Sequence, residues 1–489
     1  MLDYFYRLHR ITKFNYLIKS WRQYFGLIAL LSFLPTLSCS SSNTAYRSST
    51  NTPLESILAI NTISPYKDAL KLAIQFYDAN RCGNEVATNN TFSWRDNCHI
   101  NDGHDVNVDL TGGFHDAGDH VKFGLPQGYT ASILGWVYYE NKQILLASKD
   151  DAQLLATLRR FTDYFLKSHP DKGIFYYQVG DGGADHAFWG TPEEQTEPRP
   201  TRRYADARNP AADVLGETAA ALALGFLNFK DDNEYAQKCL LAAKELYHMG
   251  KTNPGLGDAQ GFYQSSSFFD DLSWAAVWLY IATGEEKYLK DIDNFLKKSK
   301  NNAPFKTSTM SWDNVFLPVM LKMYDITDDT RYSNAVKDSI EYWIDSMKTT
   351  PGGLKYYLQW GVLRYAANEA MLALFYTRRF LSHTYYNFAQ QQIDYILGNN
   401  PQNISYIIGF GDKYPKEPHH RAAISCQAAN IHKNRDCTLY GALVGGPNDN
   451  DEYIDDMNMY QYSEVALDYN AGLIGALSVL SFDKQQWLK

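Results

Sequence analysis

Nine consecutive residues, Gly112 to His120 (GGFHDAGDH), hold two carboxylates, two imidazoles and three glycines. Glycine tolerates close backbone approach and positive φ, so this composition predicts a tight loop rather than a helix. On such a loop Asp116 and Asp119, three apart, can face one point. A D-x-x-D pair by itself also describes an ordinary solvated turn. A second acidic stretch, YIDDMNMYQYSEVALDYNAG (Tyr453–Gly472), carries Glu464. Ser463 reads as the N-cap of a helix from Ser463 to Ser481, which predicts Glu464 in the first turn, where the helix dipole favours a carboxylate. A third region, FGDKYPKEPHHR (Phe410–Arg421), uses Pro415 and Pro418 to stiffen a loop presenting His419, His420 and Arg421. Taken together, the three regions predict acid–base chemistry with one carboxylate as acid and another as base. Cleavage of a glycosidic bond needs such a pair on opposite faces of that bond.

The bulk composition agrees with a sugar-like ligand. The 489 residues are 45% hydrophobic and 15% aromatic, with 36 Tyr and 10 Trp, enough for a large core with aromatic surface to spare. Pyranose faces stack on such rings. The formal net charge of -9 argues against a nucleic-acid partner, which calls for a basic stripe.

The elements that must position these residues are helical. Twelve helical segments are expected near 64–80, 130–146, 151–168, 213–228, 233–249, 270–282, 286–299, 313–325, 331–347, 365–379, 383–397 and 463–481. Strand-like alternation is scarce and no fixed-period repeat is visible. No linker divides 62–489, so the region reads as one domain of helical hairpins in a ring or bundle, with the motif-bearing loops at one end. Before it, Arg7, Arg10, Lys13, Lys19 and Arg22 precede an apolar run, Tyr24 to Ser38, too short for a comfortable membrane span. Residues 1–40 therefore read as an export signal, with a signal-anchor as the alternative. Cys39, in a loosely lipobox-like LPTLSCSSS with Thr36 in place of Leu, is a candidate for lipidation. Residues 41–61, rich in Ser, Thr and Asn at their start, read as a disordered linker. The expected location is extracellular, free or membrane-attached through Cys39 or an uncleaved leader.

Three long motifs carry a family resemblance. DLTGGFHDAGDHVKFGLP (Asp109–Pro126), SYIIGFGDKYPKEPHHR (Ser405–Arg421) and YIDDMNMYQYSEVALDYNA (Tyr453–Ala471) resemble, in this order, the catalytic-base, histidine and aspartate–glutamate signatures of glycoside hydrolase family 9, the endoglucanase-type cellulases. The resemblance covers essentially all of 62–489. It implies an all-α (α/α)6 barrel, in agreement with the twelve helices, and inverting hydrolysis of internal β-1,4 bonds of cellulose or a related β-glucan. Carried over by position, Asp119 is the general base, Asp116 helps hold the attacking water and Glu464 is the general acid. Asp455 matches a supporting carboxylate beside the acid. His419 and Arg421 match residues that bind sugar hydroxyls near the cleavage point. His186, Trp360, Arg364 and Tyr469 fall where the family places cleft residues, and Trp189 adds a stacking surface. Trp274 and Trp278 read as core. Glu464 then needs a raised pKa, supplied by burial and by the charges of Asp116, Asp119 and Asp455 against the helix terminus. Serines in QSSSFFDD and KTSTMSWD stand where some processive relatives carry aromatics. The chain also ends soon after its last helix, without room for an appended carbohydrate-binding module. Both features predict an endo-acting enzyme on soluble or amorphous glucan, and a monomer is expected. A non-catalytic glucan-binding protein on the same fold is the rival reading, disfavoured because Asp116, Asp119 and Glu464 are all present.

Two metal sites and one disulfide complete the expectations. Cys82, Cys98, His99 and His115 form a donor set suited to tetrahedral structural zinc. Some family members carry such a site, with the last histidine directly before the first aspartate of the catalytic loop. A Cys82–Cys98 disulfide and His104 as the fourth ligand are the alternatives. Four protein ligands leave no open position, so this zinc is not expected to be catalytic. The resemblance implies calcium at Ser266, Ser267, Asp270, Asp271 and Asp313, where Ser267 and Asp271 replace the family's frequent Gly and Glu. Asp270 and Asp271 as a helix cap is the alternative. It also implies a Cys426–Cys437 disulfide. Cys239 reads as a buried free thiol, and no organic cofactor is expected.

Overall fold

Apolar helices that bury every face need neighbours on every side, and amphipathic ones need a neighbour on one side only. Both kinds alternate along this chain. The structure, a computed structural model, describes residues 64–299, 309–429 and 435–482, all within the compact unit Leu58–Lys489. The leader, Cys39 and the linker lie outside the described residues.

Among these residues twelve helices have twelve or more residues: α1 (Ser64–Ala79), α2 (Gly124–Ser148), α3 (Asp151–Ser168), α5 (Ala212–Asn228), α6 (Asn233–Thr252), α7 (Phe269–Thr283), α8 (Lys287–Ser299), α9 (Phe316–Thr327), α10 (Thr330–Asp345), α11 (Val362–Phe380), α12 (His383–Ile396) and α15 (Leu467–Leu480). Three short ones, α4 (Gly182–Ala187), α13 (Arg421–Ala429) and α14 (Tyr460–Ser463), sit in loops. The packing closes a ring: α2 on α5, α5 on α7, α7 on α9, α9 on α11, α11 on α15 and α15 back on α2. Each ring helix also packs on an outer one, pairing α2 with α3, α5 with α6, α7 with α8, α9 with α10, α11 with α12 and α15 with α1. Six inner and six outer helices make the expected (α/α)6 barrel.

Sequence explains the division of labour. The inner helices are buried along most of their length, and Trp136 on α2 and Trp274 and Trp278 on α7 are fully buried, as expected for core tryptophans. Outer α8 buries Tyr288, Ile292 and Phe295 at helical spacing and turns Lys287, Lys290, Lys297 and Lys298 to solvent. Asp232, Asp329 and Ser382 cap α6, α10 and α12 by accepting backbone amides.

Two features depart from the sequence reading. A small antiparallel sheet, β1 (Lys122–Phe123), β2 (Phe175–Val179) and β3 (Thr201–Ala205), flanks the Gly112–His120 loop, and β1 follows that loop directly. The last helix begins at Leu467, not Ser463. Ser463 ends α14, and Glu464 lies in extended backbone (φ -63, ψ 147) between the two helices. Tertiary pairing overrides the local capping signal there: the Gly445 amide donates to the Glu464 carbonyl at 2.8 Å, and the His419 amide donates to the Ser463 carbonyl at 2.9 Å.

Candidate active site

The three motif regions converge through their backbones. The Leu467 amide donates to the Asp116 carbonyl (3.0 Å), and the Arg421 amide donates to the Gly118 carbonyl (3.0 Å). His419 and Glu464 form an isolated parallel bridge. Asn80, at the end of α1, ties the loops from behind: its Nδ2 donates to the carbonyls of His115 (3.1 Å) and Ala117 (2.9 Å), and His420 Nε2 meets its Oδ1 at 3.1 Å. Gly118 permits the closest approach. A Cβ there would stand 2.0 Å from the His419 carbonyl oxygen.

These loops line one cleft of about 610 Å³, within the usual range for ligand sites. Asp116, Asp119, His186, Trp189, Trp360, Arg364, His419, Arg421, Glu464 and Tyr469 all contribute to its wall. Trp189 and Trp360 are 43% and 51% exposed, open faces for a sugar ring, whereas Trp274 and Trp278 are sealed in the barrel. Trp189 stands edge-on to His419 with ring centroids 5.3 Å apart, and the Arg421 guanidinium lies 5.6 Å from its centre. His186 Nδ1 meets the Gly182 carbonyl at 2.7 Å.

The carboxylates differ in their surroundings. Glu464 is pushed up to about 7, first by burial and then by the charge of Asp119, against hydrogen bonds from Trp360 and Tyr469 and the charge of Arg364. Trp360 Nε1 donates to Oε2 of Glu464, and the Tyr469 hydroxyl donates to the same oxygen at 3.3 Å. Burial raises Asp119 too, followed by the Asp185 charge, while His186, Arg421 and the Ala117 amide pull it down. Asp116 is raised further, by burial and then by Asp119, with Asp468 and Glu464 adding to the repulsion. Its Oδ2 accepts from the Tyr263 hydroxyl, and its Oδ1 is buried without a partner. Asp119 accepts from the Ala117 amide at Oδ1 (3.2 Å) and from the Val121 amide at Oδ2 (3.3 Å), hydrogen bonds that favour its ionised form.

Two sequence readings are corrected. Glu464 is not in a first helical turn; Asp468 holds that place on α15 and pairs with Arg364 at 2.7 Å. Asp455 is not on the cleft wall. Its carboxylate accepts from the amides of Lys416 (2.7 Å) and Glu417 (3.0 Å) and so braces the loop that carries His419. Phe262, Tyr263 and Trp312, beside or within the serine-rich segments, also stand on the cleft wall. Tyr263 and Trp312 pack edge to face with centroids 5.0 Å apart. No local periodicity marks these residues, nor Tyr460, which packs on Trp360 at 5.1 Å.

The sequence matches the model of glycosyl hydrolase family 9 over residues 66–477. The chain belongs to glycosyl hydrolase family 9. This family 9 hydrolase is 42% identical to Endoglucanase A of Bacillus pumilus, over 84% of this chain and 66% of that protein's length, so the chain spans just under two thirds of that relative. It is 35% identical to Endoglucanase 15 of Arabidopsis thaliana over 86% of this chain and 95% of the relative. Among solved structures it is similar to the cellulase Cel9M of C. cellulolyticum, with 52% identity, a TM-score of 0.82, and coverage of 86% of this chain and 99% of that one. The endoglucanase of the termite Nasutitermes takasagoensis is 37% identical with a TM-score of 0.80, over 85% of this chain and 98% of the other. The domain is thus a glycoside hydrolase of the endoglucanase class.

Behind the catalytic loop of this hydrolase, Cys82, Cys98, His99 and His115 offer donor atoms all within 4.8 Å of one another. Cys82 Sγ is 3.6 Å from His99 Nδ1, which is 3.0 Å from His115 Nε2. The edges of a tetrahedral zinc shell are roughly 3.3–3.8 Å. Cys82 and Cys98 are free thiols and not a disulfide, and His104 is exposed and outside the set. The donors fit zinc. At the expected calcium loop, Asp270 Oδ1 and Asp271 Oδ2 are buried without partners, which a hard cation would satisfy. Asp313 accepts from the Ser266 amide at 2.6 Å, and the Ser267 carbonyl accepts from the Ser265 hydroxyl at 2.5 Å. Cys426 and Cys437 form a disulfide with Cα atoms 5.8 Å apart, and Cys239 is a buried free thiol.

Proposed function

We propose that this family 9 hydrolase is an endo-β-1,4-glucanase that inverts the anomeric carbon, with Glu464 as general acid and Asp119 as general base. The observation that carries the reading is the meeting of Glu464, raised to about 7, with Asp119, whose two oxygens accept backbone amides, in one aromatic-walled cleft. Near or below neutral pH, Glu464 holds a proton for the leaving oxygen. Asp119 accepts a proton from water as the water attacks the anomeric carbon from the opposite face, and the glycosidic C–O bond breaks. Asp116, on the same cleft wall as Asp119, helps hold that water. Trp189, Trp360 and Tyr460 supply faces for glucose rings, and Arg421 and His186 supply donors for hydroxyls.

The substrate is a β-1,4-linked glucan, the backbone shared by cellulose, mixed-linkage glucan and xyloglucan. Zinc held by Cys82, Cys98, His99 and His115 pins the segment behind Asp116 and takes no part in the chemistry. Calcium held by Asp270, Asp271 and Asp313 with the carbonyls of Ser266 and Ser267 neutralises the buried acids beside the cleft. The leader at 1–40 sends the enzyme outside the cell. The test is reducing-sugar release from carboxymethyl cellulose, with the anomer of cello-oligosaccharide products followed by NMR. Glu464→Gln is expected to abolish hydrolysis while cello-oligosaccharide binding survives, and normal turnover by that variant removes the assignment.

A further inference from the structure

Asp185 stands beside His186 on α4 but contributes nothing to the cleft wall, and its side chain is almost completely buried. Its Oδ2 accepts from Arg421 Nη1 (3.1 Å) and from the His120 amide (3.1 Å), and its Oδ1 accepts from Gln195 Nε2 (2.9 Å). Arg199 Nη1 lies 3.9 Å from Oδ1 and donates to the His120 carbonyl at 2.8 Å. One carboxylate therefore joins the catalytic loop, the 195–199 segment and the start of α13. Asp119, Asp185 and His186 do offer donor atoms within 4.8 Å of one another. Both oxygens of Asp185 are already engaged, two of the partners being arginines, so the trio is a charge arrangement and not a cation site.

We propose that Asp185 is a positioning residue for hydrolysis: by holding the Arg421 guanidinium and the amide of His120, it keeps Arg421 from closing on Asp119 and leaves the base free to meet water. The proposal rests on the reading of Asp119 as base. Arg421 lines the cleft, and its Nε is buried without a partner. Without Asp185, the carboxylate left beside this cation on the cleft wall is Asp119, and an Arg421–Asp119 pair would both lower the basicity of Asp119 and block the water.

The charges around Asp119 set the sign of the effect. Asp116 faces it from its own loop, Asp185 and His186 from α4, Arg421 and His419 from the start of α13 and the loop before it, and Glu464 from the segment before α15. Asp185 in turn faces the His120 ring, Arg199, Arg421 and Asp119. After burial, the Asp185 charge is the largest influence raising Asp119, so a neutral residue 185 lowers it. The base must be ionised to work, hence the acidic limb of kcat/KM moves to lower pH.

The experiment compares full-length wild type with Asp185→Asn, Asp185→Ser and Asp185→Glu on cellopentaose across pH. The neutral variants are expected to lose about 10–100-fold in kcat with KM within about threefold, and to move the acidic limb down by about half to one unit. Asp185→Glu keeps the charge and is expected to keep the limb at the wild-type pH. A lower kcat with an unmoved limb in the neutral variants, or kcat within twofold of wild type, overturns the proposal. Failure of both neutral variants to fold also overturns it, because the carboxylate then serves stability alone. Wild type without activity on any β-1,4-glucan removes the reading of Asp119 first, and this proposal with it.

Discussion

The indole Nε1 of Trp360, just before α11, donates to Oε2 of Glu464, just before α15. A half-exposed indole and the proposed acid are thus one hydrogen-bonded unit, so a sugar ring packed on Trp360 would bear directly on the group proposed to deliver the proton.

This donor favours the ionised acid. In Trp360→Phe the ring face remains and the donor is lost, so Glu464 rises above about 7. The acid must be protonated to work, and the basic limb of kcat/KM is expected to move up by as much as about one unit. A pH profile on cello-oligosaccharides checks this. A downward shift contradicts the assignment of Glu464 as acid.

Glu464 also lowers stability when ionised. Its folded pKa of about 7 lies above the 4.5 of a free glutamate, so the folded state binds the proton more tightly. Below pH 4.5 the group is protonated in both states and costs nothing; between 4.5 and about 7 stability declines, and above that the loss is complete. Glu464→Gln is therefore expected to stabilise the fold at pH 8 by on the order of 2 kcal/mol and to have little effect at pH 4. Thermal unfolding at the two pH values measures the difference. An equal change at both would show that the acid is not held protonated.

Gly118→Ala places a Cβ 2.0 Å from the His419 carbonyl, at the contact between the catalytic loop and the histidine loop. Neither backbone can move without breaking the Arg421–Gly118 hydrogen bond. The variant is expected to fold, since the contact is local to these loops, but to lose at least about a hundredfold in kcat/KM, the scale expected for a 1 Å misplacement. Kinetics with circular dichroism on the same preparation separate this from global unfolding, and near-normal kcat/KM would contradict it.

One zinc per chain is expected by elemental analysis, lost in Cys98→Ser. That variant should unfold several degrees lower and retain kcat within about tenfold, because four protein ligands leave no position for a reacting water. A Cys82–Cys98 disulfide in a non-reduced peptide map would contradict the site.

The local code was legible wherever one residue's neighbours in sequence are also its neighbours in space. Helical periodicity placed all twelve barrel helices, whereas it was the family resemblance that gathered Asp116, Asp119, His186, Trp189, Trp360, Arg364, His419, Arg421, Glu464 and Tyr469, all found on one wall. Ser463 misled for the same reason: a good N-cap by type, it sits where pairing with His419 and Gly445 keeps the following residues extended.

By itself, then, the sequence determined the helix inventory and the three acid–base motifs, since these depend on residue type and short-range spacing. Tertiary structure alone decided that Asp455 braces a loop, that Tyr263 and Trp312 join the cleft and that Asp185 holds Arg421. Those outcomes depend on which surfaces meet once the inner ring closes. A carboxylate's partner is then set by segments hundreds of residues away, and no short-range pattern encodes it.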